Sequence, residues 1–105
     1  MSDPLYDDLY HQAVDMQYKF HDFTAGANDP EVHVLQNEIH NLIGDIRNQK
    51  DSQALDYRIK TIQQQLSQSQ HAPHPYINYG HVDYLHSNYE QMRQNIQNFE
   101  KNQRT

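Results

Sequence analysis

The sequence contains no cysteine, which excludes thiol catalysis, cysteine-ligated zinc, thiolate-held iron–sulfur clusters and disulfide staples. Glycine occurs only three times, so the tight loops that cradle phosphates or cofactors are hard to build. No stretch approaches the ~20 consecutive apolar residues of a membrane span. The first residues carry Asp3, Asp7 and Asp8 instead of the basic head and apolar run of a signal peptide. Together these absences lead to the expectation of a soluble, cytoplasmic protein without contact to membrane. The lack of cysteine is itself neutral on compartment.

Apolar residues are also scarce, at 35% of the chain, below the ~45–50% of ordinary domains. Amides replace them, with 14 Gln and 9 Asn. Such a composition raises the question of disorder, but disordered segments lack aromatics. Here eight Tyr and three Phe recur along the chain, and order is the better reading. At 105 residues the chain is one domain, residues 1–105, with a thin core. Assembly into a homo-oligomer is the simplest way to add buried area.

Net charge is −6, and residues 1–31 carry seven acids against Lys19 alone, whereas residues 32–105 carry seven of each sign. A nucleic-acid binder needs a basic face, and none is visible. The acidic first third suits a basic patch on a protein partner; a plainly solvated face accounts for the same charges.

Four segments repeat one pattern. In the first, Tyr6, Leu9, Ala13, Met16, Phe20 and Phe23 alternate spacings of three and four, which puts all six on one helical stripe. Leu5, Tyr10 and Val14 widen it. Asp3-Pro4 reads as N-cap and first helical residue, and Gly26 suits a left-handed C-terminal cap. The second opens with Asp29-Pro30-Glu31 and continues through Val32, Leu35, Ile39, Leu42 and Ile46, flanked by Val34 and Ile43. Gly44 lies inside this helix, where it costs ~1 kcal/mol relative to Ala; a close helix approach would explain it.

The pattern lapses over residues 47–53, which hold neither Gly nor Pro. Either a turn capped by Asp51 or Ser52 falls there, or one long helix runs through with its polar stretch projecting. Leu55, Ile59, Ile62 and Leu66 form a third seam, and Val82, Leu85, Tyr89, Met92, Ile96 and Phe99 a fourth, with Ile77 leading in. Pro73 and Pro75 break any helix between them. The predicted helices are therefore about 4–24, 30–48, 53–68 and 77–101, with a Pro-containing linker over 69–76 and fraying from about Lys101. No segment alternates with period two. The expected fold is all-α: an antiparallel bundle of three to four helices, or a helical hairpin completed by dimerisation, with narrow coiled-coil-like seams. Leu9, Phe20, Ile39, Ile62, Tyr89 and Ile96 are the expected core or interface anchors.

Little in the chain suggests chemistry. Eight histidines are an excess, and they make charge pH-dependent around pH ~6. His71-Ala-Pro-His74 is the best two-ligand spacing for a metal, and His33 and His40 lie two turns apart on the second helix. Zinc needs three or four converging ligands, and neither HExxH nor a Glu-x-x-His pair is present. Solvated histidines are the simpler reading, and no metal or other cofactor is expected. Tyr76, Tyr79 and Tyr84 lie off the fourth seam and are candidates for a contact surface; base stacking would need a basic groove, and only Arg93 is near. No nucleophile is placed beside a base, so no catalytic residue is assigned.

Asp29-Pro30-Glu31-Val32, followed by Leu35, resembles the second helix of the YlbF/YmcA-type small helical proteins of Firmicutes. His74-Pro75-Tyr76-Ile77, then Leu85, Met92 and Ile96, is similar to that family's last helix, which opens with a comparable polar-Pro-x-Ile phrase. Tyr6-Asp7 is similar to its first. The order and rough spacing match over most of the chain, although the first helix is several residues shorter. The resemblance implies an all-α fold. It also implies a regulatory partner of the kind acting in competence, biofilm formation, sporulation and RNA processing through a membrane-tethered endoribonuclease. Some members hold an iron–sulfur cluster through cysteines; with none here, that cofactor does not carry over, and no binding residue maps. The sequence thus reads as a non-catalytic adaptor acting through protein contacts. Two other readings stand beside it: a histidine-dependent metal-binding or pH-sensing module centred on His71 and His74, and a structural component of a phage or secretion system.

Overall fold

The computed structural model describes residues 4–24, 30–70 and 79–103, and every element in them is a helix. These are α1 (Pro4–Phe23), α2 (Pro30–Arg47), α3 (Ser52–Gln70) and α4 (Tyr79–Gln103). Two of the starts follow from proline at the first helical position, where the missing N–H is no loss. The third start is a carboxylate cap: Asp51 Oδ1 accepts from the Ala54 N–H at 2.8 Å, and the Asp51 carbonyl takes the first helical bond from Leu55 at 3.0 Å. Asp3, Asp29 and Gly26 lie outside the described residues.

The stretch between α2 and α3 is a turn, which removes the single-long-helix alternative. Its N–H groups fold back on the helix end: Gln49 donates to the Ile46 carbonyl at 3.0 Å and Lys50 to that of Asp45 at 3.0 Å. This is the bonding of a Schellman cap, which requires a left-handed residue. Gln49 supplies it with φ 54°.

Cross-helix contacts set the directions. The Tyr6 hydroxyl at the start of α1 donates to the Lys50 carbonyl beyond α2, at 2.7 Å. Phe23 near the end of α1 stacks on His81 near the start of α4. Ser52 at the start of α3 hydrogen-bonds Glu100 near the end of α4. Each helix is therefore antiparallel to its neighbours, and since α1 also packs on α4, the four close into a ring within one chain. The bundle measures 47 × 22 × 17 Å.

The seams fill its axis. Leu9, Ala13, Met16 and Phe20 of α1 meet Val32, Leu35, Ile39, Leu42 and Ile46 of α2, Leu55, Ile59, Ile62 and Leu66 of α3, and Val82, Leu85, Tyr89, Met92 and Ile96 of α4, all buried. Tyr6 and Phe23, the ends of the first stripe, pack only partly against them.

Several expectations need correction. α3 continues to Gln70, so residues 69 and 70 belong to a helix and not to the linker; Ser and Gln can extend a helix, and the first sequence obstacle is Pro73. α4 likewise is helical to Gln103, two residues past the expected end at 101. Gly44 marks no close approach: a Cβ built there would meet nothing within 4 Å. Val34 does not flank the core, being exposed on the outer face of α2.

Candidate functional site

The six anchors Leu9, Phe20, Ile39, Ile62, Tyr89 and Ile96 are all buried in the shared core. They hold the bundle together and leave recognition to the outside. Ionisable groups tell the same story, because those with displaced pKa values are structural. Arg58 of α3 donates to Glu38 at 2.9 Å and to Asp45 at 3.1 Å on α2. These hydrogen bonds, Glu38 foremost, raise its pKa further. Arg93 of α4 donates to Asp56 of α3 at 2.8 Å. That bond is the main cause of its raised value, with Glu90 adding to it. Burial alone raises the Tyr89 phenol. Displaced values often mark active sites; here they mark helix pairing and the core.

Inside the second arginine cluster is a buried residue that seam spacing misses. Gln63 of α3 donates through Nε2 to Glu90 at 2.9 Å and more weakly to the His86 carbonyl at 3.4 Å, while Arg93 donates to its Oε1 at 3.3 Å. Every polar end of the amide is thus satisfied, which is what permits its burial. Lys60, Ser67, Gln64 and Gln68 border an open groove of about 800 Å³ over this cluster.

A second groove, about 550 Å³, opens between α1 and α2. Phe20 and Ile39 of the core form its floor, and Gln17, Gln36 and Asn37 its walls. His21 and His40 face it from opposite helices, and Tyr18 stands at its rim, 67% exposed. No lysine or arginine lines it. The sequence singled out neither this groove nor Tyr18. The available signal was Tyr18's place between the seam residues Met16 and Phe20, where a large aromatic has no core to enter. Tyr57 of α3, between Leu55 and Ile59, is the same case at 73% exposed.

Of the tyrosines proposed as contacts, Tyr84 is 41% exposed and meets Phe23 edge-on at 5.9 Å. The side chains of Tyr76 and Tyr79 lie outside the described residues. So do His71 and His74, the two metal-ligand candidates. Among the described residues no three His, Asp or Glu side chains cluster closely enough to hold a metal. His33 and His40 are both exposed on α2.

Charge divides the bundle lengthwise. α1 and α2 carry seven acids against Lys19 and Arg47, whereas α3 and α4 carry four of each sign. No helix among the described residues is long and apolar enough to cross a membrane. In comparisons with known proteins, no family model, no curated protein and no solved structure matches the chain.

Proposed function

We propose that this chain is a non-catalytic helical adaptor or regulator, cytoplasmic, that acts by binding another protein. The observation that carries the reading is the lengthwise charge division. An acidic half with an open groove and an exposed tyrosine stands apart from a half whose charges balance. Displaced pKa values fall on Arg58, Arg93 and Tyr89, and these three pair helices or fill the core. An acidic surface disfavours nucleic acid and anionic membranes and steers basic protein partners. The expected homo-oligomer is not needed to complete the core, since the ring closes within one chain. The resemblance to the YlbF/YmcA-type regulators supports the same class of function.

The test is affinity capture by the tagged chain from its native lysate, with nuclease treatment, read by mass spectrometry. One dominant protein partner is the expected result. Recovery of the bait alone, at several bait concentrations, would sink the adaptor reading.

A further inference from the structure

We infer that the outer surface of α1, with the groove between α1 and α2, is the docking face, and that its occupant is a basic, arginine-bearing amphipathic segment of a partner protein. This rests on the adaptor reading and gives it a place and a chemistry.

The stripe that faces outward from α1 is as regular as the one that faces inward. Asp8, His11, Asp15, Tyr18 and Asp22 recur at spacings of three and four, and all five are exposed. Asp15 and Asp22 stand one turn to either side of Tyr18, which makes them its neighbours on the helix surface. Asp7 extends the same crest. Lys19, the one base of α1, stands four residues after Asp15 and three before Asp22 on the α4 side of this crest, so it neighbours both carboxylates. The crest keeps a net negative charge through Asp7, Asp8, Asp15 and Asp22 against that one cation.

Groove and crest ask for different things from one ligand. The floor is apolar but shallow, since Phe20 and Ile39 belong to the core and show only 2% and 1% of their surface. It favours the edge of an aliphatic side chain, with Gln17, Gln36 and Asn37 to satisfy polar groups around it. The crest favours cations: a guanidinium can lie on the Tyr18 ring and reach a carboxylate one turn away. An amphipathic segment with apolar anchors and arginines meets both demands. Charge disfavours the other occupants. Two copies docking crest to crest would bring together Asp7, Asp8, Asp15 and Asp22 from each chain, a like-charge contact that costs association. Phosphate-bearing ligands are repelled in the same way.

The probe is a short helical peptide of leucine and arginine, with a control in which each arginine is replaced by glutamate. Both are titrated into the full isotope-labelled chain and followed by backbone amide resonances. The arginine peptide is expected to shift residues 15–22 and 36–40 and to leave α3 unmoved, and the glutamate peptide to bind nowhere. Tyr18→Ala, and Asp15→Asn with Asp22→Asn, are each expected to weaken binding roughly fivefold or more. Tyr57→Ala, on the opposite pair of helices, should leave it unchanged. All four positions project from the surface of the bundle, so melting curves of the variants should match the wild type and separate lost binding from lost folding.

Shifts spread evenly over both helix pairs, full-strength binding by Tyr18→Ala, or no binding of the arginine peptide would overturn the inference. A wild-type dimer that Tyr18→Ala dissolves would put a second copy on this face and overturn it too. Lysate capture with the Asp15→Asn, Tyr18→Ala, Asp22→Asn triple variant separates the two levels. A partner held equally by wild type and variant leaves the adaptor reading intact and removes this face. Peptide binding at residues 15–22 with nothing captured by either chain would support the face and remove the adaptor.

Discussion

The imidazole of His81 lies flat against the phenyl ring of Phe23, with ring centroids 3.9 Å apart and planes inclined by 5°. Tyr84 meets the same phenyl ring edge-on. The stack joins the last turn of α1 to the first turn of α4, two helices that no direct connection holds together, and so helps close the ring. Aromatic pairs contribute ~0.5–1.5 kcal/mol beyond the area they bury. A double-mutant cycle of Phe23→Leu and His81→Ala, measured by urea unfolding, is expected to give a coupling in that range. A cycle that closes on zero would mean that the ring closes without the stack.

Tyr89 presents a different balance. It is fully buried, and its hydroxyl has no hydrogen-bond partner among the described residues. An orphaned buried polar group costs ~1–3 kcal/mol, so Tyr89→Phe, which keeps the ring, should leave stability at neutral pH equal or higher. Alkaline pH gives a sharper test. Burial raises the phenol's pKa in the fold, whereas the unfolded chain ionises near its ordinary ~10. A raised folded value means that the contribution is fully present below that pH and is lost as pH rises above it, by up to ~1.4 kcal/mol per pH unit. Wild type should therefore destabilise more steeply than Tyr89→Phe between pH ~10 and ~11.5. Parallel slopes would mean that the phenol reaches water.

The two arginine clusters should separate under salt. Arg58, Glu38 and Asp45 are all partly open to solvent, and exposed pairs are worth at most ~1 kcal/mol and are screened. Arg58→Met is expected to cost little, and that little should vanish in high salt. Arg93 supports a buried amide: without it, Gln63 Oε1 loses its donor. Arg93→Met should therefore cost more, ~1–2 kcal/mol, and keep most of that cost in high salt, because an unmet hydrogen bond is not screened. Equal salt dependence of the two variants would contradict the assignment.

Helix periodicity makes the interior legible from sequence because one helix suffices to define it. Leu9 and Phe20, or Ile39 and Ile46, share a stripe whatever they pack against. Residues whose fate depends on a second helix are not legible in this way. Gln63 follows Ile62 and reads as surface; Glu90 and Arg93 from α4 make its burial tolerable. The groove beside Tyr18 exists only once α1 and α2 are in register, so no spacing within either could show it. The outer stripe of α1 was legible as negative charge, but its regularity emerges only when the inner face is assigned. The turn after α2 was ambiguous for a chemical reason, since the left-handed position that usually announces itself as glycine is occupied by Gln49.

That residue and Gly44 give the last prediction, because glycine is misplaced at both. A side chain in the left-handed region costs ~1–2 kcal/mol, and glycine avoids that cost at the expense of a more flexible unfolded chain. Gln49 is exposed in the turn, so Gln49→Gly should raise stability by ~0.5–1 kcal/mol. Gly44 is the reverse case, a helical residue with open space where a Cβ would go. Gly44→Ala should gain ~0.5–1 kcal/mol by helix propensity alone. The positions do different things, one inside the helix and one beyond its end, so the gains should add in the double variant. Each is read as a melting temperature, at ~4–8 °C per kcal/mol for a chain of this size. A loss on Gln49→Gly would mean that its side chain makes a contact the turn depends on. A loss on Gly44→Ala would mean that α2 bends there in solution, where a glycine is needed and an alanine is not tolerated.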